Sequence, residues 1–206
     1  MEQTNWEKYY LSPLPTSGWS RMIVRHNLLQ MLRKTNLSQG CSIAELGGGG
    51  SCFYRKISDE FQTEHYTVYD SCTAGIQAFI RKNPNGKTVK TDLLSFQPDQ
   101  TFDLVFSVGL IEHFPPESTK KLIKKHFEMT NPDGWVVLFF PTPTLLYRGV
   151  RSLAEFSGLW DFPDERPLAP QEVRSTADQY GICRDSKLIY ANFLTQYALL
   201  YRKKSK

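Results

Sequence analysis

SIAELGGGGSCF, residues 42–53, sets a short apolar run ending in Glu45-Leu46 against four consecutive glycines, Gly47 to Gly50. Glycine has no Cβ, so such a loop can take left-handed torsions and let a ligand lie against the main chain. A P-loop needs Gly-Lys-Ser/Thr at its end, and here Ser51, Cys52 and Phe53 follow instead. A dinucleotide fingerprint, G-x-G-x-x-G, would put its third glycine at position 52 or 53, which hold Cys52 and Phe53. What remains is Glu45-x-Gly47-x-Gly49. A carboxylate so placed would repel a pyrophosphate and attract a cationic or amine-bearing ligand.

Outward from this loop, β-rich runs alternate with helical ones. SIAEL (42–46), YTVYD (66–70), TVKTDL (88–93), FDLVFSV (102–108) and GWVVLFF (134–140) read as strands, with FYRKISDEF, TAGIQAFIRKN and STKKLIKKHFEM as helical segments between them. The stretch 20–36 has apolar residues at helical spacing, opened by Ser17 or Ser20. Such alternation predicts a mostly parallel sheet covered on both faces. SKLIY (186–190) and TQYALLYRK (195–203) close the chain without a crossover helix, so one of them must run antiparallel. The expectation is one α/β domain over 1–206, a doubly wound sheet of seven strands, mostly parallel with an antiparallel last strand. It has an N-terminal helical cap over 1–40 and an insertion at 141–170.

At 206 residues the chain suits a single full core. No apolar run approaches a membrane span, and MEQTNWEKYY lacks the basic and apolar regions of a signal peptide, so a cytoplasmic protein is expected. The four cysteines include no C-x-x-C pair and point to reduced thiols rather than a zinc site or a disulfide framework. Of the net charge of +4, all is carried by Arg202, Lys203, Lys204 and Lys206 at the tail, and the remaining 21 basic residues balance 21 acids. The body therefore has no excess charge for nucleic acid.

The residues ELGGGGS resemble the first motif of class I S-adenosylmethionine-dependent methyltransferases, an acid followed by alternating glycines, with Ser51 where the strictest form has a third glycine. The resemblance covers residues 42 to 203, and it implies the fold described above, including the terminal hairpin. It implies S-adenosylmethionine as cofactor, held by Glu45, Gly47, Gly48 and Gly49. Asp70, with Ser71 after it, stands at the end of the second strand, where an acid would accept hydrogen bonds from ribose hydroxyls or cap the following helix. In the family, Asp92 with Leu93 reads as the adenine contact, and a turn aspartate is the other reading. Ser107, Val108 and Gly109 end the fourth strand, where the backbone can approach the methionyl part. Asp103 reads as structural.

Glu112-His113 resembles the motif after the fourth strand in small-molecule methyltransferases of quinone and sugar biosynthesis. His113 is the candidate general base, or else an imidazole that only fixes the loop. His26, His65 and His126 have no matched partners in sequence, so no metal site is expected. Lys120, Lys121, Lys124 and Lys125 read as a solvated helix face.

The acceptor must be held by parts outside the shared core. The N-terminal NWEKYY and the 141–170 segment bring Trp6, Tyr9, Tyr10, Tyr147, Arg148, Arg151, Trp160, Asp161, Asp164, Glu165 and Arg166. Aromatics stack on rings and arginines fork onto carboxylate or phosphate, which makes Tyr9, Tyr10, Tyr147, Arg148, Trp160 and Arg166 the candidate substrate contacts. The 141–170 pattern is similar to methyltransferases found with glycan-assembly enzymes. The expected activity is methyl transfer to oxygen or nitrogen of a small polar acceptor, such as a sugar, a nucleotide sugar or another anionic metabolite. The rival readings are an RNA or protein methyltransferase of the same fold, and a cofactor-binding partner subunit without catalysis. The balanced charge, and SVGL where Asn/Asp-Pro-Pro-Tyr/Phe would stand, argue against the first rival. The oligomeric state is not legible.

Overall fold

The computed structural model describes residues 3–12, 17–191 and 194–205. Residues 13–16 of the N-terminal cap and Lys206 of the basic tail lie outside them. The strands are β1 (Ser42–Leu46), β2 (His65–Asp70), β3 (Lys87–Lys90), β4 (Phe102–Val108), β5 (Thr130–Pro141), β6 (Gly181–Ala191) and β7 (Leu194–Lys203). The helices are α1 (Trp6–Leu11), α2 (Ser17–Leu32), α3 (Tyr54–Phe61), α4 (Thr73–Lys82), α5 (Pro116–Glu128), α6 (Leu145–Phe156) and α7 (Pro170–Ala177), with a 3₁₀ turn at Ile111–His113.

The seven strands form one sheet in the order β3-β2-β1-β4-β5-β7-β6. Pairing is parallel from β3 through β5, and β7 runs antiparallel to both β5 and β6, as in Val137 opposite Leu200 and Leu188 opposite Tyr197. The reason lies in side-chain alternation. Leu104 and Phe106 of β4 join Val137 and Phe139 of β5 in a core shared with Val24 and Leu28 of α2, Ile57 of α3 and Phe79 of α4. Val105, Val136 and Leu138 point the other way, onto Leu122 and Phe127 of α5 and Val173 of α7. Both faces are dry, so these strands read as continuous apolar runs. Each such fully buried side chain contributes about 1.5–3 kcal/mol.

β3 stops at Lys90, three residues earlier than the sequence predicts. Asp92 closes a turn by accepting from Leu94 N–H at 3.0 Å, a local alternative to the ladder. β6 is longer than predicted because its polar first half pairs with the end of β7 across the hairpin, and β5 because Thr130, ahead of a register shift, pairs with Phe102 of β4. Among the described residues no helix is long and apolar enough to cross a membrane.

The chain runs outward from β1 to β3 and then returns to place β4 on the other side of β1. Strand order reverses between β1 and β4, and the crevice at their carboxyl ends is where open α/β sheets bind ligands.

Candidate active site

A cavity of about 700 Å³ opens at that reversal. Its floor is the glycine loop. Gly47 and Gly49 take left-handed torsions, φ 68° and 33°, which any Cβ would strain. A Cβ at Gly47 would stand 2.7 Å from a Leu110 methyl, and one at Gly48 2.8 Å from both Glu45 and Val68. The bare backbone is thus required by packing as well as by torsion.

Two carboxylates flank the loop. Glu45 lines the cavity yet is only 2 % exposed. Burial pushes its carboxyl up to about 7, against hydrogen bonds from Ser51 and from the Tyr66 hydroxyl, the latter at 2.6 Å. Asp70 accepts from Gly49 N–H through one oxygen and from Cys72 N–H through the other, each at 2.7 Å. Burial raises its pKa, and the backbone hydrogen bonds oppose the rise. Cys72, not Asp70, is the N-cap of α4, its sulfur accepting from Gly75 N–H. Asp70 therefore ties the glycine loop to the start of α4 while lining the cavity. Ser71, Asp92, Leu93, Val108 and Gly109 also line it, and the Asp92 side chain spends both oxygens on its own turn, accepting from Leu94 N–H at 3.0 Å and from the Ser95 hydroxyl at 3.1 Å. The glycine cradle with its two flanking acids fits a ligand carrying an ammonium and ribose hydroxyls.

Ser107 departs from its expected place. It is fully buried and bonds His126 Nε2 at 2.9 Å beneath the strand end, away from the cavity. His126 gives its Nδ1–H to the Leu122 carbonyl at 2.7 Å, so Nε2 is the acceptor and the ring is neutral. Burial pushes its pKa down to about 4. Nineteen residues separate this pair, and no local pattern announces it. Lys125 is likewise no solvated lysine: it is buried and donates to the Phe96 carbonyl at 2.7 Å.

The far end of the cavity is built by the N-terminal segment and the 141–170 segment together. Thr4 hydroxyl donates to Asp164, and Arg166 N–H donates to the Glu112 carbonyl at 3.0 Å. Trp6, Tyr9, Tyr147, Trp160 and Phe162 wall it, with Trp6 edge-on to His113 at 4.9 Å between ring centres. Tyr10 is different from its neighbour. Its ring lies against Gly49, Gly50 and Gly75 and also meets Tyr9 edge-on at 5.3 Å between ring centres, so it bridges the glycine loop and the aromatic wall. Burial raises its hydroxyl well above the ordinary value, and the Asp70 charge adds to this.

Arg148 and Arg166 do not reach the cavity. Arg148 is exposed on α6, and Arg166 pairs with Glu172 at 2.7 Å. Instead the chamber holds three acids, Glu112, Asp164 and Glu165. Glu112, 1 % exposed, has one carboxylate oxygen, Oε2, with no hydrogen-bond partner. Burial pushes its carboxyl up to about 8, with His113 pulling it down and Glu165 and Asp164 adding to the rise. His113 Nδ1 donates to Asp164 at 3.0 Å. Burial depresses the imidazole, but that bond and the charges of Glu112 and Glu165 outweigh it, and the net pKa is raised. Asp164 falls to about 2: burial is overcome by the hydrogen bonds from His113 and Thr4. Glu165, raised by burial, accepts from the Tyr147 hydroxyl. Glu112, His113 and Glu165 each bring one atom within 4.8 Å of the others.

A family model described as a methyltransferase domain matches residues 43–134. No curated protein matches in sequence. Among solved structures, the N-methyltransferase NodS from Bradyrhizobium japonicum WM9, in complex with S-adenosyl-L-homocysteine, is 17 % identical and has a TM-score of 0.67, over 97 % of this chain and 93 % of its own. Magnesium protoporphyrin IX methyltransferase (ChlM) from Synechocystis PCC 6803 with bound SAH is 15 % identical and has a TM-score of 0.73, over 99 % and 90 %. The putative methyltransferase in complex with the Haloferax volcanii Trm112 methyltransferase activator is 10 % identical and has a TM-score of 0.76, over 99 % and 100 %. At such identities the likeness is one of fold.

Proposed function

We propose that the chain, whose residues 43–134 match a methyltransferase-domain model, is an S-adenosylmethionine-dependent methyltransferase that methylates nitrogen or oxygen of a small polar acceptor held between Trp6 and the 141–170 segment. The observation that carries this reading is continuity. One cavity joins the glycine cradle to the chamber of Glu112, His113 and Glu165, so an acceptor in the chamber faces a cofactor in the cradle. The cofactor supplies a methyl group activated on a sulfonium.

The chain's own residues do the rest. Glu45 and Asp70 fix the loop and offer charge toward an ammonium and ribose hydroxyls. Trp6, Tyr9, Trp160 and Phe162 exclude water and hold the acceptor in one orientation, and alignment of reacting groups is the larger part of what such a site must provide. Asp164 sets the His113 tautomer and turns the ring. The expectation of an anionic acceptor rested on Arg148 and Arg166, which stand outside the cavity, so it loses its residues here.

The test is transfer of labelled methyl from S-adenosylmethionine to a panel of amines, alcohols, sugars and nucleotide sugars. Label in at least one acceptor above the buffer background is expected. Cofactor binding without transfer to any acceptor would favour a binding subunit.

A further inference from the structure

Building on the methyltransferase reading, we infer that the acceptor presents an amine, bound as its ammonium by Glu112 and Glu165 within the aromatic walls, and that Glu112 takes the proton that frees the nitrogen lone pair.

Two buried oxygens without a partner, Glu112 Oε2 and Gln196 Oε1, belong to residues lining this one cavity. The amide oxygen only accepts, and so does the carboxylate once an ammonium beside it favours its ionised form. A buried acceptor left unmade is costly, so what completes the chamber brings donors, and an ammonium brings three. Glu112 sits over the end of β4, where a Cβ on Gly109 would be 3.5 Å from its Oε1. The charge count agrees. Asp164 is spent on His113 and Thr4, which leaves Glu112 and Glu165 facing the space. Arg151 stays behind Glu165, donating to its backbone carbonyl and to Glu155. Arg21, the arginine that lines the cavity, donates to the Tyr9 hydroxyl.

The walls point the same way. Aromatic faces attract an organic cation, and carboxylates among them select it over a neutral ring. A small hard metal ion would keep several waters, which aromatic faces solvate poorly. An anion would meet the two carboxylates directly.

An ammonium has no lone pair to attack with. One of its protons passes to the Glu112 carboxylate, leaving a neutral amine and a neutral carboxylic acid. The burial that pushes this carboxyl up to about 8 brings its proton affinity toward that of an ammonium. The charged groups around it are His113 on the same turn and Asp164 and Glu165 from the 141–170 segment, with Arg151 behind.

The experiment saturates the native protein with S-adenosyl-L-homocysteine, confirmed by calorimetry, and titrates benzylamine, benzyl alcohol and benzoate at neutral pH against tryptophan fluorescence. Trp6 and Trp160 report on the chamber. The ammonium should bind roughly tenfold or more tightly than the alcohol, as expected for a charge-assisted hydrogen bond, and benzoate more weakly still. Glu112→Gln and Glu165→Gln, near-isosteric changes, should each weaken the ammonium by roughly tenfold while homocysteine-cofactor affinity and melting temperature stay level. The absence of an ammonium preference, or its survival in both variants, overturns the inference. So does stoichiometric binding of Mg²⁺ or Mn²⁺ that Glu112→Gln abolishes, since the cluster would then be a metal site. Failure of the native protein to bind S-adenosyl-L-homocysteine at all would instead sink the methyltransferase reading.

Discussion

The hydroxyl of Tyr10 lies where a Cβ on Gly49 would have to stand, so α1 is seated directly in the glycine loop. The absence of a side chain at Gly49 is what lets the N-terminal helix close over the cradle. Gly49→Ala should cost about 1–2 kcal/mol from the left-handed torsion alone, and more from the collision. Combining it with Tyr10→Ala removes the collision. The double variant should then lose less stability than the two single losses added, by about 0.5–3 kcal/mol in denaturant midpoints. Simple additivity would mean that the ring and the loop do not meet.

Asp70→Ala removes the acceptor for two loop amides, Gly49 and Cys72. Charge-assisted hydrogen bonds of this kind contribute about 1.5–3 kcal/mol. Both the melting temperature and the affinity for S-adenosyl-L-homocysteine should fall, because the same carboxylate shapes the loop and lines the cavity. A variant with weakened binding and an unaltered melt would show that Asp70 serves the ligand alone.

His113 has its Nδ1 committed to Asp164 and its pKa raised, which suits an imidazole that holds the chamber's shape more than one that takes protons. His113→Asn should lower turnover by less than about tenfold and leave the pH profile's shape intact. A loss of roughly 10²–10⁴-fold together with disappearance of a pH limb would restore it as the general base.

His126 ties acid stability to the core. Its folded pKa, about 4, lies below the ordinary value of 6.5, so below 6.5 the unfolded chain binds the proton first. Stability present above pH 6.5 should therefore drain away as pH falls toward 4, by up to about 3 kcal/mol from this group. His126→Gln should flatten that part of the stability curve, at the cost of a lower plateau at neutral pH. An unchanged slope between pH 6.5 and 4 in the variant would contradict the buried neutral ring.

The sheet was legible because its strands are buried on both faces. β1 and β4 are found at the boundaries their apolar runs predict, and β3 was overextended because Thr91-Asp92-Leu93 looks extended in sequence but turns through an Asx bond. The glycine loop was legible because Glu45 and the glycines are contiguous. The far chamber of the cavity was legible in its aromatics and not in its charges: Tyr9, Tyr147 and Trp160 do line it, whereas Arg148 and Arg166 face elsewhere. Helix α6 places Tyr147 inward, fully buried, and the next residue, Arg148, is turned to solvent. Only the helical phase, known once the boundary at Leu145 is known, distinguishes them. Ser107 and His126 find each other across two elements, which no short window can show.

The central claim is that this cradle takes S-adenosylmethionine, and calorimetric titration of the native protein with S-adenosyl-L-homocysteine and separately with NAD tests it most directly. The account predicts one site of roughly micromolar strength for S-adenosyl-L-homocysteine and no saturable heat for NAD. Saturable NAD binding with no heat from S-adenosyl-L-homocysteine would contradict it.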